Sequence, residues 1–209
     1  MYKTIVGLCV TAVSIGVVGT LHAAETDLAT MAKPAYTAAG ELVKPEGYRG
    51  WVFVGSSLGL SYSEEAPKNL PGLFHHIYIQ PEAYRQYVKD GTFPEKTMLV
   101  MENYSAGSKS NPNLHGWFED NLAGVEVALK DKETYADGWA YFNFSSGGGK
   151  LKPSAKAFPK AACFDCHAEH AADDNVFVQF YPVLKEEMQK QGRWKGEAPA
   201  KTDEKYEEK

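Results

Sequence analysis

The sequence predicts an α+β domain, a mainly antiparallel β-sheet with a few helices, whose Cys-x-x-Cys motif lies near the C-terminus. Three observations lead there. Short runs of β-branched and aromatic residues recur between residues 51 and 144, bounded by Gly, Asn, Asp, Pro and Lys clusters. The intervals between them leave little room for the helical crossovers that parallel strands require. The chain has 209 residues, 44% of them hydrophobic and 23% charged, a composition that suits one compact domain with its own core.

The elements follow in order. Met1-Tyr2-Lys3 gives a positive start, Thr4 to Leu21 is uncharged, and His22-Ala23-Ala24 supplies small residues before Glu25, so residues 1–24 read as a cleaved signal peptide. A single domain of residues 25–201 follows, closed by a charged tail, 202–209, with no apolar pattern. Within the domain, Asp27 to Ala32 predicts a short helix with Thr26 as N-cap and Pro34 as its stop. Trp51 to Val54 predicts the first strand. Gly55-Ser56-Ser57-Leu58-Gly59 matches the G-x-S-x-G nucleophile elbow, but the chain beyond it meets Pro67 and Pro71 instead of entering a helix. It reads as a flexible Gly/Ser turn. Phe74 to Ile79 predicts a strand, and Pro81 opens a helix that closes near Asp90-Gly91. Met98 to Met101, Gly124 to Leu129 and Trp139 to Phe144 predict three more strands. In the last, Trp139, Tyr141 and Asn143 share one face and Ala140, Phe142 and Phe144 the other, so both sides are expected to be covered. Gly147 to Gly149 marks a loop, and Pro182 starts a C-terminal helix.

Charge and cysteine usage narrow the function. With 22 Lys plus Arg against 27 Asp plus Glu and no basic run, nucleic acid is excluded as a partner. After signal cleavage the chain is expected to be free of the membrane and periplasmic, with Cys163 and Cys166 its remaining cysteines. A loop that short would staple almost nothing as a disulfide, so the pair is there for chemistry.

Cys163-Phe164-Asp165-Cys166-His167 has the spacing at which two thiols add to the vinyl groups of one haem while the next imidazole reaches the iron. The cofactor expected is one covalent haem c, held by Cys163, Cys166 and His167, with His167 on the iron. Rival readings are weaker. Zinc on Cys163, Cys166 and His170 lacks a fourth ligand, and a thioredoxin-like pair lacks its βαβ unit. Small electron carriers usually carry this motif early and a methionine ligand after it, whereas here Met188 alone follows. The iron is therefore expected to have no protein ligand opposite His167. Met98, Met101, His75, His76 and His115 are the other residues able to reach back, and His170 is expected to be a solvated neighbour.

The chain resembles the cytochrome P-460 and cytochrome c′-beta family of exported monohaem proteins. The resemblance is carried by Tyr48 to Val54, Phe93-Pro94 before the Met98 strand, Gly138 to Tyr141, the haem motif, and Asp174 to Pro182. It implies a homodimer, an open distal face, and nitric oxide or hydroxylamine as ligand; a redox partner protein, a basic one, is expected from the acidic balance of the chain. The P-460 branch oxidises hydroxylamine with a lysine bound to the haem ring; the c′-beta branch lacks that link and binds nitric oxide. The strand after Phe93-Pro94 contains no lysine, Lys96 preceding it and Lys130 ending another strand. Candidate distal residues are Arg49 and Glu102 as polar groups, and Phe74, Phe142 and Phe144 as an aromatic cap. The competing function is a periplasmic electron-transfer cytochrome with a six-coordinate haem.

Overall fold

The computed structural model describes residues 28–61, 71–112 and 115–196. The expected signal peptide and charged tail lie outside the described residues, as does Asp27. In chain order the elements are β1 (Leu42–Val43), β2 (Val52–Leu58), β3 (Leu73–Ile79), α1 (Pro81–Asp90), β4 (Met98–Gly107), β5 (Phe118–Lys130), β6 (Trp139–Asn143), β7 (Ser154–Ala155), α2 (Phe164–His170) and α3 (Pro182–Lys190). Strands β2 to β6 form one sheet in chain order with every neighbour antiparallel, and β1 pairs with β7 in a second, two-stranded sheet. The α+β class is as the sequence predicts. Among the described residues no helix is long and apolar enough to cross a membrane.

Both proline-led helices form where expected. Pro81 and Pro182 stand in the first turn, where a missing N–H costs nothing, and Gly91 closes α1 in the left-handed region at φ 76°. Two expectations need correction. The helix over Asp27–Ala32 is a single 3-10 turn, Leu28–Thr30. Pro34 disfavours the helical region for Lys33, which leaves too few residues to repay helix nucleation. The Gly/Ser segment after Val54 is not a turn either: β2 continues through it to Leu58. It stays extended because Gly55 lies under the Phe180–Pro182 segment, where an added Cβ would sit 3.0 Å from the Tyr181 Cα. Strands β4 and β5 also run well past their apolar cores, since the polar stretch 102–107 finds its ladder in 118–125.

The sheet separates two cores, as the mixed faces of β6 predict. On one face Val54, Ile77, Ile79, Leu99, Trp139 and Tyr141 pack against α1, α3 and the segment around Val176–Val178. On the other, Met98, Val100, Val127, Leu129, Phe142 and Phe144 pack against Leu42, Tyr48 and Ala155. The first face positions the site.

Candidate haem site

A short turn, Lys160–Ala162, delivers the chain to Cys163, and α2 begins at the next residue. The helix puts His167 one turn after Cys163, its backbone N–H bonding the Cys163 carbonyl at 3.1 Å, so thiol and imidazole share one side. Cys163 and Cys166 are both free thiols and half-buried. Burial is the main force raising the Cys163 thiol above its ordinary pKa, followed by the charge of Glu126.

The His167 ring lies between two aromatic rings, with centroids 4.2 Å from Tyr141 and 4.4 Å from Phe177. Its Nδ1–H donates to the Asn175 carbonyl at 2.8 Å. That bond fixes the tautomer and leaves Nε2 with its lone pair, the arrangement in which a histidine binds a metal. Burial holds the ring below its usual pKa and so neutral, opposed by the bond to Asn175.

The Asn175 carbonyl is itself aimed. Asp174 and Asn175 lie in the left-handed region at φ 41° and 61°, which short polar side chains tolerate better than most. Asp174 is pinned by Lys130 Nζ at 2.6 Å and by Trp139 Nε1 at 3.1 Å. Lys130 and Trp139 are direct cross-strand partners at the end of β5 and β6. Lys130 Nζ also donates to the Phe93 carbonyl at 2.7 Å, and the Tyr141 hydroxyl donates to Asn175 O at 3.2 Å. A chain of contacts thus runs from Phe93 through Lys130 and Asp174 to the turn that holds His167.

The sheet face beneath the motif carries rows of cross-strand neighbours. One is Ile79, Leu99, Ala128 and Tyr141; the next is Ile77, Met101, Glu126 and Asn143; the third is Ser57, His75, Asn103 and Gly124. Glu126 accepts from Asn143 Nδ2 at 3.2 Å, and burial raises its pKa above the carboxylate norm.

Cys163, Cys166 and His167 come together as read from the sequence. The five distal candidates do not join them. Arg49 and Glu102 form an ion pair at 2.6 Å, capped by the Tyr48 hydroxyl at 2.6 Å, on the opposite face of the sheet. Phe74 stands on that face across from Tyr104, and Phe142 and Phe144 are buried in its core. Strand alternation is the cause: Glu102 points away from Met101 and Asn103, and Phe142 from Tyr141 and Asn143. The residues that do share the motif's face are Met101, Asn103, Glu126 and Asn143, none of them among the distal candidates read from the sequence. The available signal was Glu126 itself, a carboxylate inside the apolar run Val125 to Leu129 and two residues from Ala128 on the same side.

The other reachable residues are dispersed. Met98 is buried in the far core and Met188 packs in the near one, whereas Met101 is half-buried on the motif's face. His76 pairs with Glu119 at 2.8 Å, and His115 and His170 are exposed. Lys96 pairs with Asp131 at 2.5 Å and Glu133 at 2.9 Å. Among the described residues no group of three or more His, Cys, Asp or Glu side chains is placed to hold a metal ion. Two free thiols at this spacing and a neutral imidazole with Nε2 unused fit a haem, with the Asn175 bond as the supporting partner.

The family model described as Cytochrome P460 matches residues 45–178, from the lead-in to β2 through the whole haem motif to the His167-holding turn. No curated protein matches the chain. The match covers more than half of the sequence and spans every residue of the site, and with a donor set that fits haem it shows that this chain is a haem protein of the cytochrome P460 family.

Proposed function

We propose that this chain is an exported protein that carries one haem covalently on Cys163 and Cys166 with His167 on the iron, and that it oxidises a proton-bearing nitrogen oxide of the hydroxylamine class. A haem bound there supplies an iron that takes a small ligand and passes electrons onward to a redox partner. The observation that carries the reading is Glu126, a half-buried carboxyl on the motif's face of the sheet, in register with Met101 and Asn143 and bonded by Asn143 Nδ2. Oxidising hydroxylamine requires N–H and O–H protons to leave, and a positioned carboxylate receives one. Burial tunes Glu126 upward, toward working pH, and Asn143 Nδ2 orients the accepting oxygens. His167 is held by Asn175, and the Lys130–Asp174–Trp139 group holds Asn175 in turn.

A second reading, nitric oxide binding without turnover, is favoured by one observation. Lys130, the lysine of β2 to β6 on this face among the described residues, is committed to Asp174 and the Phe93 carbonyl, which leaves it poorly placed for a haem–lysine bond. Signal cleavage and periplasmic location, read from residues 1–24, and a homodimer, implied by the family resemblance, accompany either reading as proposals.

The test is steady-state hydroxylamine oxidation by the purified holoprotein and its Glu126→Gln variant, with optical spectra before and after nitric oxide. Turnover that falls about a hundredfold in the variant supports the oxidase. Nitric oxide binding with no turnover supports the second reading. A six-coordinate low-spin spectrum unresponsive to either ligand, and altered in Met101→Ala, would make the chain an electron carrier.

A further inference from the structure

Ser57, His75 and Asn103 form a polar line across three strands that the preceding mechanism leaves unused. They are consecutive cross-strand partners on the motif's face, one row beyond Met101 and Glu126. Ser57 Oγ lies 3.1 Å from His75 Nδ1. Asn103 is only 7% exposed, and its Oδ1 is buried with no hydrogen-bond partner. An orphaned buried acceptor is costly and rare in a folded chain, and it calls for a donor. The row's fourth position, Gly124, presents no side chain, and the Ser145 hydroxyl fills the place where its Cβ branch would lie, 1.9 Å from that point. Asn103 is thus flanked by hydroxyl and imidazole groups, with Glu126 diagonal to it across β5.

We propose that Asn103, with His75 held by Ser57, is a ligand subsite that accepts the N–H and O–H hydrogens of a hydroxylamine-class molecule and so selects it over nitric oxide. The proposal rests on the reading that this face receives a small nitrogen oxide, and it adds which residues choose between ligands. Nitric oxide has no hydrogen to donate, so Asn103 Oδ1 gains nothing from it; hydroxylamine satisfies the orphaned oxygen. His75 is kept neutral mainly by burial and secondarily by His76 on the other face, so it offers one donor and one acceptor rather than a charge. Its neighbours across the strands, Ser57 and Asn103, carry no charge.

The experiment is an optical titration of purified holoprotein with hydroxylamine and, separately, nitric oxide, for the natural chain, Asn103→Leu, Asn103→Asp and His75→Leu. Hydroxylamine affinity should fall about tenfold or more in Asn103→Leu and His75→Leu, the loss of one good hydrogen bond, while nitric oxide affinity stays within about twofold. Asn103→Asp keeps an acceptor and should retain most of the hydroxylamine affinity. Asn103→Leu should melt no lower than the natural protein, because it removes an unpaired buried group. Unchanged hydroxylamine affinity in both leucine variants, or an equal loss for both ligands, overturns the proposal, as does loss of haem from Asn103→Leu. Failure of the natural holoprotein to bind either ligand would instead overturn the nitrogen-oxide reading beneath it.

Discussion

Charge removal at either end of the Lys130–Asp174 pair should cost unequal amounts. Lys130 is 8% exposed and donates to Asp174 at 2.6 Å and to the Phe93 carbonyl at 2.7 Å, whereas the Asp174 side chain keeps 37% of its surface open. In Asp174→Asn the ammonium stays buried with neutral acceptors alone. Breaking a buried pair that way costs about 3–5 kcal/mol, and the open side of Asp174 pulls the figure to about 3. Asparagine is the right replacement because it tolerates the left-handed φ of 41° and keeps an acceptor for Trp139 Nε1. In Lys130→Met the stranded carboxylate still reaches water and the indole N–H, so the cost is about 1 kcal/mol. At about 2–4 °C per kcal/mol for a domain of this size, Asp174→Asn should lower the melting midpoint by about 6–12 °C and Lys130→Met by about 2–4 °C. The double variant should recover part of the larger loss, since no charge is then left unpaired. The assay is thermal unfolding of the four holoproteins by circular dichroism. Equal shifts for the two single variants, or a shift below about 2 °C for Asp174→Asn, would refute the argument.

Other outcomes follow from the same geometry. Because the folded-state pKa of Glu126 is raised, the folded chain binds its proton more tightly than the unfolded chain, so this group's stabilisation is present at low pH and lost as pH rises through the folded value. Activity should move the opposite way, rising with pH as the carboxyl ionises, and Glu126→Gln should erase that limb of the pH–rate profile; Asn143 and Met101 across the strands add no charge to blur it. Glu102→Gln should lower the melting midpoint by weakening the Arg49 and Tyr48 contacts at 2.6 Å, while hydroxylamine and nitric oxide affinities stay within about twofold, read by optical titration. Gly55→Val should lower the melting midpoint, since its Cβ would crowd the Tyr181 backbone at 3.0 Å; an unchanged midpoint would contradict the packing described for β2.

Much of this molecule is legible in its sequence, for physical reasons that also mark where legibility stops. Cys163, Cys166 and His167 are close in the chain, so one helical turn brings them together whatever the rest does. The proline-led helices and the apolar centres of β2 to β6 are likewise local signals. The polar ends of β4 and β5 are not, because a backbone ladder forms without apolar side chains to announce it. Nor is the choice of face. Whether Glu102 or Glu126 stands beneath the motif depends on the phase of each strand against its neighbours, and a shift of one residue reverses the answer. The register Met101 to Glu126 to Asn143 settles it through pairs far apart in the chain. The Asn175 turn is intermediate: Asp174-Asn175 is a readable left-handed signal, but its tie to Lys130 spans 44 residues.

The central claim is that Cys163 and Cys166 bind one haem covalently with His167 on the iron. Its most direct test is the intact mass of the purified holoprotein after denaturation in acid and organic solvent. The account predicts a chain heavier than its polypeptide by one haem, with the added mass lost in the Cys163→Ala, Cys166→Ala double variant. Haem that partitions entirely into the solvent, leaving a bare polypeptide, would contradict it.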